Sequence, residues 1–281
     1  MIYEHEIPSG SRLYFGKSAK LKREIENSSA KILEDLGFNE IVTPLFSYHQ
    51  HNIFNDSRVL VRINDALNSP VSLRADSTVD VVRIVTKRLS RSENSKKWFY
   101  IQPIFTYPTV EVHQIGAEII DATLEEVANI AIKILKEQKI NSSFQLANIA
   151  IAHILVNNYG FLLEDIKSIK LEKILSSKYS WISSLVNIET INDLNDLSIY
   201  PDDIKAELEK IKNIAQKIEI DNILISPLYY APMRYYNSLV FRSFEGNRLY
   251  ATGGVYKIDD VQGGGFAIYT DAIIAKKMQR V

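Results

Sequence analysis

The alternation of apolar and polar positions divides the chain into strands, then helices, then strands again. Apolar residues near helical spacing predict a helix over 18–36, which Gly37 terminates. Two apolar runs, Lys97–Phe105 and Val110–Ile120, predict strands joined by a very short connector. The segment around Pro44 predicts an edge strand, because proline cannot donate a hydrogen bond to a neighbouring strand.

The later segments complete an α+β pattern. Helices are predicted at 77–90, 124–139 and 271–279, with several short helices between 149 and 220. Strands return after residue 221 and are joined by short turns, which favours antiparallel pairing. We therefore expect an antiparallel sheet flanked by helices, with residues 1–121 and 221–281 as its core and 122–220 as a mainly helical insertion.

Composition excludes several classes of function. The chain has 281 residues, a net charge of −1 and no cysteine, so disulfides and cysteine-ligated metals are excluded. A balanced charge argues against an obligate nucleic-acid binder, and no apolar run has the length of a membrane helix. No dinucleotide or P-loop glycine pattern is present, so no cofactor is predicted. The start of the chain does not resemble a signal peptide, and we expect a cytoplasmic protein.

Few residues taken singly point to chemistry. The five histidines are scattered: His5, His49, His51, His113 and His153. The pair His49 and His51 would face one side of a strand and could ligate a metal. We favour the interpretation that both side chains are simply exposed to solvent beside a strand end, since no carboxylate cluster lies nearby in the sequence. The glycine runs 252–254 and 263–265 predict turns that need positive φ, or close approach to a ligand.

A candidate constellation appears when separate strands are considered together. Gln114 and Glu118 are four residues apart on one predicted strand and so share a face. With Asp76, Tyr235 and Tyr236 they would suit a small ligand that carries an ammonium group and an imidazole. The alternative is that the two polar side chains lie on a solvated face and the tyrosines are core. Pattern alone favours this alternative.

Six segments, in order, resemble the catalytic core of class II histidyl-tRNA synthetases. They are "LGFNEIVTPLF", which resembles the dimer-forming first motif, "LRADSTVDVVR", "FYIQPIFTYPTVEVHQIGAEII", which resembles the second motif, "RYYNSLVF", "ATGGVYK" and "GGGFAIYTDAI", which resembles the third motif. The similarity is closer still to the family's non-catalytic relatives, the regulatory subunits of ATP phosphoribosyltransferase. It covers most of the chain outside the helical insertion and implies the class II synthetase fold.

The resemblance implies that the amino-acid half of the synthetase pocket is retained. The matching residues are Asp76, Thr78, Gln114, Glu118, Tyr235, Tyr236 and Tyr256. Gln114 and Glu118 match the residues that hold the α-amino group, and the tyrosines match those around the imidazole. A cation for the ligand carboxylate is missing, and Arg234 is the candidate to replace it, although it aligns with an aspartate.

The ATP half of the pocket departs from the family. Thr106 and Pro108 stand where the second motif has an arginine and a glutamate, and the charged loop is reduced to a few residues. Two further arginines of the family fall on Ala231 and near Ala272. Adenylate formation spreads negative charge over a phosphoryl group, which fixed cations must stabilise. We therefore predict no catalysis, and we also expect no anticodon-binding domain.

Three functional hypotheses follow. The first is a regulatory subunit that forms a homodimer within a hetero-oligomer with the short catalytic ATP phosphoribosyltransferase and responds to histidine. The second is a synthetase-derived binding module with another partner. The third is a minimal histidine-activating enzyme, which the missing arginines argue against. Neither nucleic acid nor a membrane is predicted as a partner.

Overall fold

The computed structural model of the chain describes residues 6–48, 50, 59–231 and 233–279. Within these residues, eleven strands form one sheet of eight strands and one of three. The strands are β1 (Asn39–Glu40), β2 (Phe46–Ser47), β3 (Arg62–Asn64), β4 (Pro70–Leu73), β5 (Lys97–Thr106), β6 (Val110–Ile120), β7 (Ser143–Asn148), β8 (Ile223–Ile225), β9 (Tyr236–Glu245), β10 (Arg248–Ile258) and β11 (Val261–Tyr269).

The large sheet has the strand order β1-β5-β6-β11-β10-β9-β7-β8. Its middle six strands are antiparallel, as the short connections predict. Its two outer pairs, β1 with β5 and β7 with β8, are parallel, so the sheet is mixed rather than wholly antiparallel. The segment around Pro44 does not form one strand: β1 lies at an edge of the large sheet, β2 belongs to the small sheet, and Pro44 lies between them in neither strand.

The described helices flank this sheet, and all of them except the short one at Thr78–Arg83 contribute to the main hydrophobic core on one face. The helices are α1 (Gly16–Asp35), α2 (Thr78–Arg83), α3 (Leu124–Glu137), α4 (Ile149–Tyr159), α5 (Leu163–Lys167), α6 (Leu171–Leu175), α7 (Ile182–Val186), α8 (Asp202–Ala215) and α9 (Thr270–Met278). A π-helical turn, Ile84–Arg88, prolongs α2. Leu33 of α1, Val127 of α3 and Ile273 of α9 are completely buried in the main hydrophobic core. The opposite face of the sheet carries α2, whose Val79 and Val82 pack with Tyr235 and Tyr256 in a smaller cluster.

The ends of α1 follow the local sequence. Its start lies two residues before the predicted one, where the Phe15 amide donates to the Ser18 hydroxyl at 3.0 Å. Gly37, with φ +81°, follows the last turn and adopts the left-handed conformation that terminates many helices. The predicted helices in the regions of α2, α3 and α9 are likewise present.

The region 122–220 contributes to the sheet as well as to its helical cover. Strand β7 pairs with β9 along six residues, and Phe144 of β7 stacks on Phe241 of β9 at a centroid distance of 4.8 Å. Helix α8 packs against β7, and α4 packs against β9. The division into a core of 1–121 and 221–281 and an insertion of 122–220 stays a prediction.

Two features are absent from the described residues. No helix among them is long and apolar enough to cross a membrane. No group of three or more metal-ligating side chains occurs among them either. His5, His49 and His51, and with them the predicted metal-ligating pair, lie outside the described residues.

Candidate functional site

A cavity of about 180 Å³ lies on the face of the sheet opposite the main core. Its lining includes six of the residues that the sequence singles out, namely Asp76, Thr78, Gln114, Ala231, Tyr235 and Tyr236. They come from β6, from the segment before α2 and from the segment leading into β9, so the fold joins three distant parts of the chain. The cavity is smaller than the roughly 300–1,000 Å³ clefts that hold drug-sized ligands. It suits a molecule the size of an amino acid.

Small residues on the sheet make room for large side chains. The Tyr100 ring lies across Gly116, where an added Cβ would sit 2.2 Å from Cζ of the ring. On β11, an added Cβ at Gly265 would sit 1.9 Å from Oε2 of Glu118. Neither glycine has a positive φ. The prediction that 263–265 forms a turn was therefore wrong, because these glycines lie within β11 and serve close packing.

Asp76 lies just before α2, and hydrogen bonds hold both its carboxyl group and its backbone. The Tyr235 hydroxyl donates to Oδ2 of Asp76 at 2.9 Å. The Gln50 side-chain oxygen accepts from the amides of Ala75 and Asp76, at 3.0 and 2.9 Å. Burial raises the pKa of Asp76 to about 6. Sequence reasoning missed Gln50, since nothing in its own neighbourhood marks it as a support for residue 76.

Arg74 fixes the backbone that leads to Asp76. It is only 1% exposed, and its side chain donates to the carbonyl oxygens of Thr43, Pro44 and Pro103 at 2.8–3.1 Å. Burial lowers the pKa of this guanidinium. Because its donors are used by backbone acceptors, Arg74 ties the first-motif segment to β5 and does not serve the cavity.

Glu118 lies beside the cavity rather than on its wall. It is 1% exposed, and the Tyr100 hydroxyl, which does line the cavity, donates to its Oε1 at 3.4 Å. Burial raises the pKa of Glu118 to about 8. Oε2 of Glu118 and the hydroxyl of Tyr256 are both buried without a hydrogen-bond partner among the described residues. Such atoms are available to a cationic group that displaces the Tyr100 ring or reaches past it.

Two tyrosines, Tyr235 and Tyr236, form one wall of the cavity, and Tyr256 packs against the ring of Tyr235. The rings of Tyr235 and Tyr236 lie 4.7 Å apart, and the rings of Tyr235 and Tyr256 meet edge to face at 5.9 Å. Burial raises the pKa of all three hydroxyls well above the usual value, so they are neutral hydrogen-bonding groups at pH 7. The alternative that Gln114 and Glu118 lie on a solvated face is wrong, because both are buried.

The arginine that lines the cavity is not the one that the sequence predicts there. Arg234 is exposed and is not part of the cavity wall. Arg242, in the middle of β9, lines the cavity instead. Alternation along β9 places Val240 and Arg242 on the same face, so the period of two could have identified it. The binding roles of the sequence-predicted residues, Arg234 included, stay predictions.

The four positions that the resemblance places at an ATP site do not meet in one cavity. Thr106 ends β5, and Pro108 is exposed in the three-residue connection to β6. Ala231 is buried at the smaller cavity, while Ala272 in α9 lines an adjacent open cavity of about 1100 Å³. Two arginines, Arg12 and Arg248, line that larger cavity. Arg12 pairs with Asp271 at 3.8 Å, and Arg248 donates to Gln279 at 2.9 Å.

The fold defines a class II aminoacyl-tRNA synthetase-like protein. Residues 14–273 match the sequence model of the histidyl-tRNA synthetase family. A solved structure described as an ATP phosphoribosyltransferase regulatory subunit/histidyl-tRNA synthetase from Bacillus halodurans shares the fold. Its TM-score is 0.86 at 18% identity, and the match covers 98% of this chain and 83% of that one.

Two relatives place the chain in a narrower group within this family. The ATP phosphoribosyltransferase regulatory subunit of Wolinella succinogenes is 44% identical over 278 residues, which is 98% of this chain and 97% of the relative. The protein of the same name from Helicobacter hepaticus is 40% identical over 278 residues, or 98% of each chain. The chain belongs to the family of ATP phosphoribosyltransferase regulatory subunits.

Proposed function

We propose that this chain is a cytoplasmic, non-catalytic subunit that binds the short-form ATP phosphoribosyltransferase catalytic subunit and activates it in histidine biosynthesis. The observation that carries the proposal is identity of 44% and 40%, over almost the whole chain, to two proteins named as regulatory subunits of that enzyme. The partner and the activation are inferred from those names.

We propose further that the cavity senses histidine. The carboxylates of Asp76 and Glu118 suit a ligand ammonium, and neutral tyrosine hydroxyls suit imidazole nitrogens. The size of the cavity, about 180 Å³, supports a ligand no larger than an amino acid. Feedback would require that histidine bind two states of the assembly with different affinity. Binding of histidine in this cavity would produce that difference.

The absence of catalysis is part of the proposal. Thr106, Pro108, Ala231 and Ala272 carry no positive charge, and they stand where the resemblance implies residues of the ATP site. A transition state for adenylate formation needs cations aimed at the phosphoryl oxygens. Arg12 and Arg248 of the larger cavity already have partners in Asp271 and Gln279, which supports a structural role for them.

A homodimer within the hetero-oligomer is supported by one apolar surface. Large hydrophobic side chains are exposed along the segment that resembles the dimer-forming first motif and along the adjacent small sheet. They are Val42, Leu45, Phe46, Tyr48, Ile63 and Leu67. Clustered exposed apolar groups of this kind mark protein interfaces more often than solvated surface. We call this set the first-motif surface.

The test combines the purified chain with the short catalytic subunit from the same organism. We expect the two to co-elute, the catalytic subunit to gain phosphoribosyltransferase activity on addition of the chain, and histidine to inhibit the mixture. The isosteric variant Glu118→Gln should still activate the enzyme but should lose most of the inhibition, because its amide, unlike the glutamic acid, cannot give up a proton and pair with the ligand ammonium. A variant on the far surface, Lys205→Gln, should behave as the unmodified chain does.

Three results would contradict the proposal or part of it. Failure of the chain to bind or activate the catalytic subunit would remove the regulatory function and leave the other-partner hypothesis. Histidine-dependent exchange of pyrophosphate into ATP by the chain alone would show that it is an activating enzyme. Inhibition by histidine that survives in Glu118→Gln at full strength would place the sensor elsewhere.

A further inference from the structure

Arg242 is a partly buried cation whose guanidinium plane is fixed at the cavity wall. Its Nε donates to the Gln145 side-chain oxygen at 2.8 Å, and its Cζ lies 4.2 Å from the centre of the Tyr229 ring. The Gln145 amide nitrogen in turn donates to the Ser226 hydroxyl at 2.6 Å, which orients the oxygen towards the arginine. The side chain is thus held in place before any ligand arrives.

The charge of Arg242 is not neutralised within the described part of the chain. No aspartate or glutamate described in the structure forms an ion pair with it, whereas Arg83 and Arg12 both have carboxylate partners. A guanidinium has five donors in a planar fork, and the bond to Gln145 uses one of them. The remaining donors match the geometry of a carboxylate, which an arginine binds through two parallel hydrogen bonds.

The sheet register sets the distance between the acidic and basic ends of the site. Gly116 pairs with Ala267, Ala267 with Thr252, and Thr252 with Arg242, in one row across four neighbouring strands. Three spacings between strands correspond to about 14 Å between the outer backbones. The middle of the row carries only the small side chains of Ala267 and Thr252, both on the cavity wall. A ligand can therefore lie between Arg242 and the β6 side chains.

We propose that Arg242 binds the carboxylate of the ligand, so that the cavity selects a zwitterionic amino acid over the amine that lacks this group. The inference rests on the proposed function, in which histidine occupies this cavity with its ammonium towards the Asp76 and Gln114 side. The residues that match the family include no cation for the ligand carboxylate, and Arg242 then supplies it. The exposed Arg234 has no part in carboxylate recognition.

The test is calorimetric titration of the full chain with histidine, with histamine, which lacks the carboxylate, and with histidinol, which carries an alcohol there. The unmodified chain should bind histidine roughly tenfold to a hundredfold more tightly than either analogue, because the analogues lack the charged carboxylate that accepts hydrogen bonds from Arg242. Arg242→Gln should lower the affinity for histidine by that factor and leave histamine binding nearly unchanged. Arg242→Lys, which keeps the charge but not the fork, should fall between.

Two matched arginine variants separate this effect from a general loss of charge. Arg248→Gln, at the neighbouring cavity, should bind all three molecules as the unmodified chain does. Arg234→Gln tests the competing residue. If Arg234→Gln rather than Arg242→Gln removes the preference for histidine, the assignment is wrong. Thermal denaturation of each variant shows whether it is folded.

The possible failures are distinguishable. If the unmodified chain binds no histidine, both the sensing function and the role of Arg242 are overturned. If histidine binds but histamine binds equally well, the sensing function stands and the carboxylate assignment is overturned. The assignment is also overturned if Arg242→Gln is folded and weakens histidine and histamine by the same factor, because the side chain would then only shape the cavity.

Discussion

The Tyr235 hydroxyl donates a 2.9 Å hydrogen bond to Oδ2 of Asp76, which joins two residues 159 positions apart in the chain. Both side chains are buried. The bond therefore fixes the segment that enters β9 against the segment that enters α2, with the cavity between them. It also fixes the Asp76 carboxyl group, which suits a ligand ammonium, relative to the tyrosine rings of the cavity wall.

Tyr235→Phe should destabilise the protein by about 1–3 kcal/mol, because Oδ2 of Asp76 loses its hydrogen-bond donor in a buried place. The variant should also raise the pKa of Asp76 further, since the lost bond favours the charged form. Unfolding by urea at pH 7 measures the first effect. The matched control is Tyr48→Phe, whose hydroxyl donates to Asp65 at 2.6 Å on the exposed surface and should matter little. Equal losses in the two variants would contradict the prediction.

Stability should fall as pH rises from about 5 to about 8. Burial raises the pKa of Asp76 from 3.8 to about 6 and that of Glu118 from 4.5 to about 8. A raised pKa means that the folded state binds protons more tightly than the unfolded state. The stabilisation is fully present below the unfolded values and is lost as pH passes through the folded ones. Thermal denaturation at pH 5, 6.5 and 8 measures the trend.

Glu118→Gln isolates the upper part of this pH dependence. The amide does not titrate, so the melting temperature of the variant should change less than that of the unmodified chain between pH 6.5 and 8. The difference between the two curves removes the contributions of all other groups. A variant whose curve runs parallel to that of the unmodified chain would show that Glu118 is not the titrating group.

The sequence predicts elements whose signal is local. The helix α1 has a regular apolar stripe and a terminal glycine, and the strands β5 and β6 are long apolar runs. Each was found within a few residues of its observed position. The parallel edge pairs β1–β5 and β7–β8 could not be predicted in this way, because the paired strands are far apart in the chain and β1, β7 and β8 are only two to six residues long.

The same distinction between local and long-range signals applies to the residues of the site. Asp76, Gln114 and Tyr235 were found through motif resemblance, and they line one cavity. Gln50 and Arg242 were missed because their contacts depend on how distant segments meet, which a single sequence does not record. The glycines of β11 were assigned to a turn, since a run of glycine is typical of turns. Only the register Gly265–Glu118 shows that these residues admit a large side chain from the next strand.

Gly116→Ala should destabilise the protein by about 1–3 kcal/mol, since its methyl group would overlap the Tyr100 ring in a closely packed place. Displacement of that ring should also move its hydroxyl away from Glu118 and weaken histidine binding. Urea unfolding and calorimetry measure the two effects. In a Tyr100→Leu background, which removes the ring, the same glycine substitution should cost little. An unchanged cost in that background would show that the ring is not the cause.

Phe46→Glu should convert a dimer into monomers. Phe46 is 55% exposed within the first-motif surface, beside Val42, which is 77% exposed. Placing a carboxylate between two apolar surfaces buries an unpaired charge, which is costly enough to prevent association. The matched control is Phe15→Glu, a phenylalanine that is 73% exposed beside the larger cavity and outside the first-motif surface. Sedimentation velocity at micromolar concentration should show a dimer for the unmodified chain and for Phe15→Glu, and a monomer for Phe46→Glu. The opposite pattern would place the dimer interface at the larger cavity, and a monomer in all three would remove the homodimer from the proposed assembly.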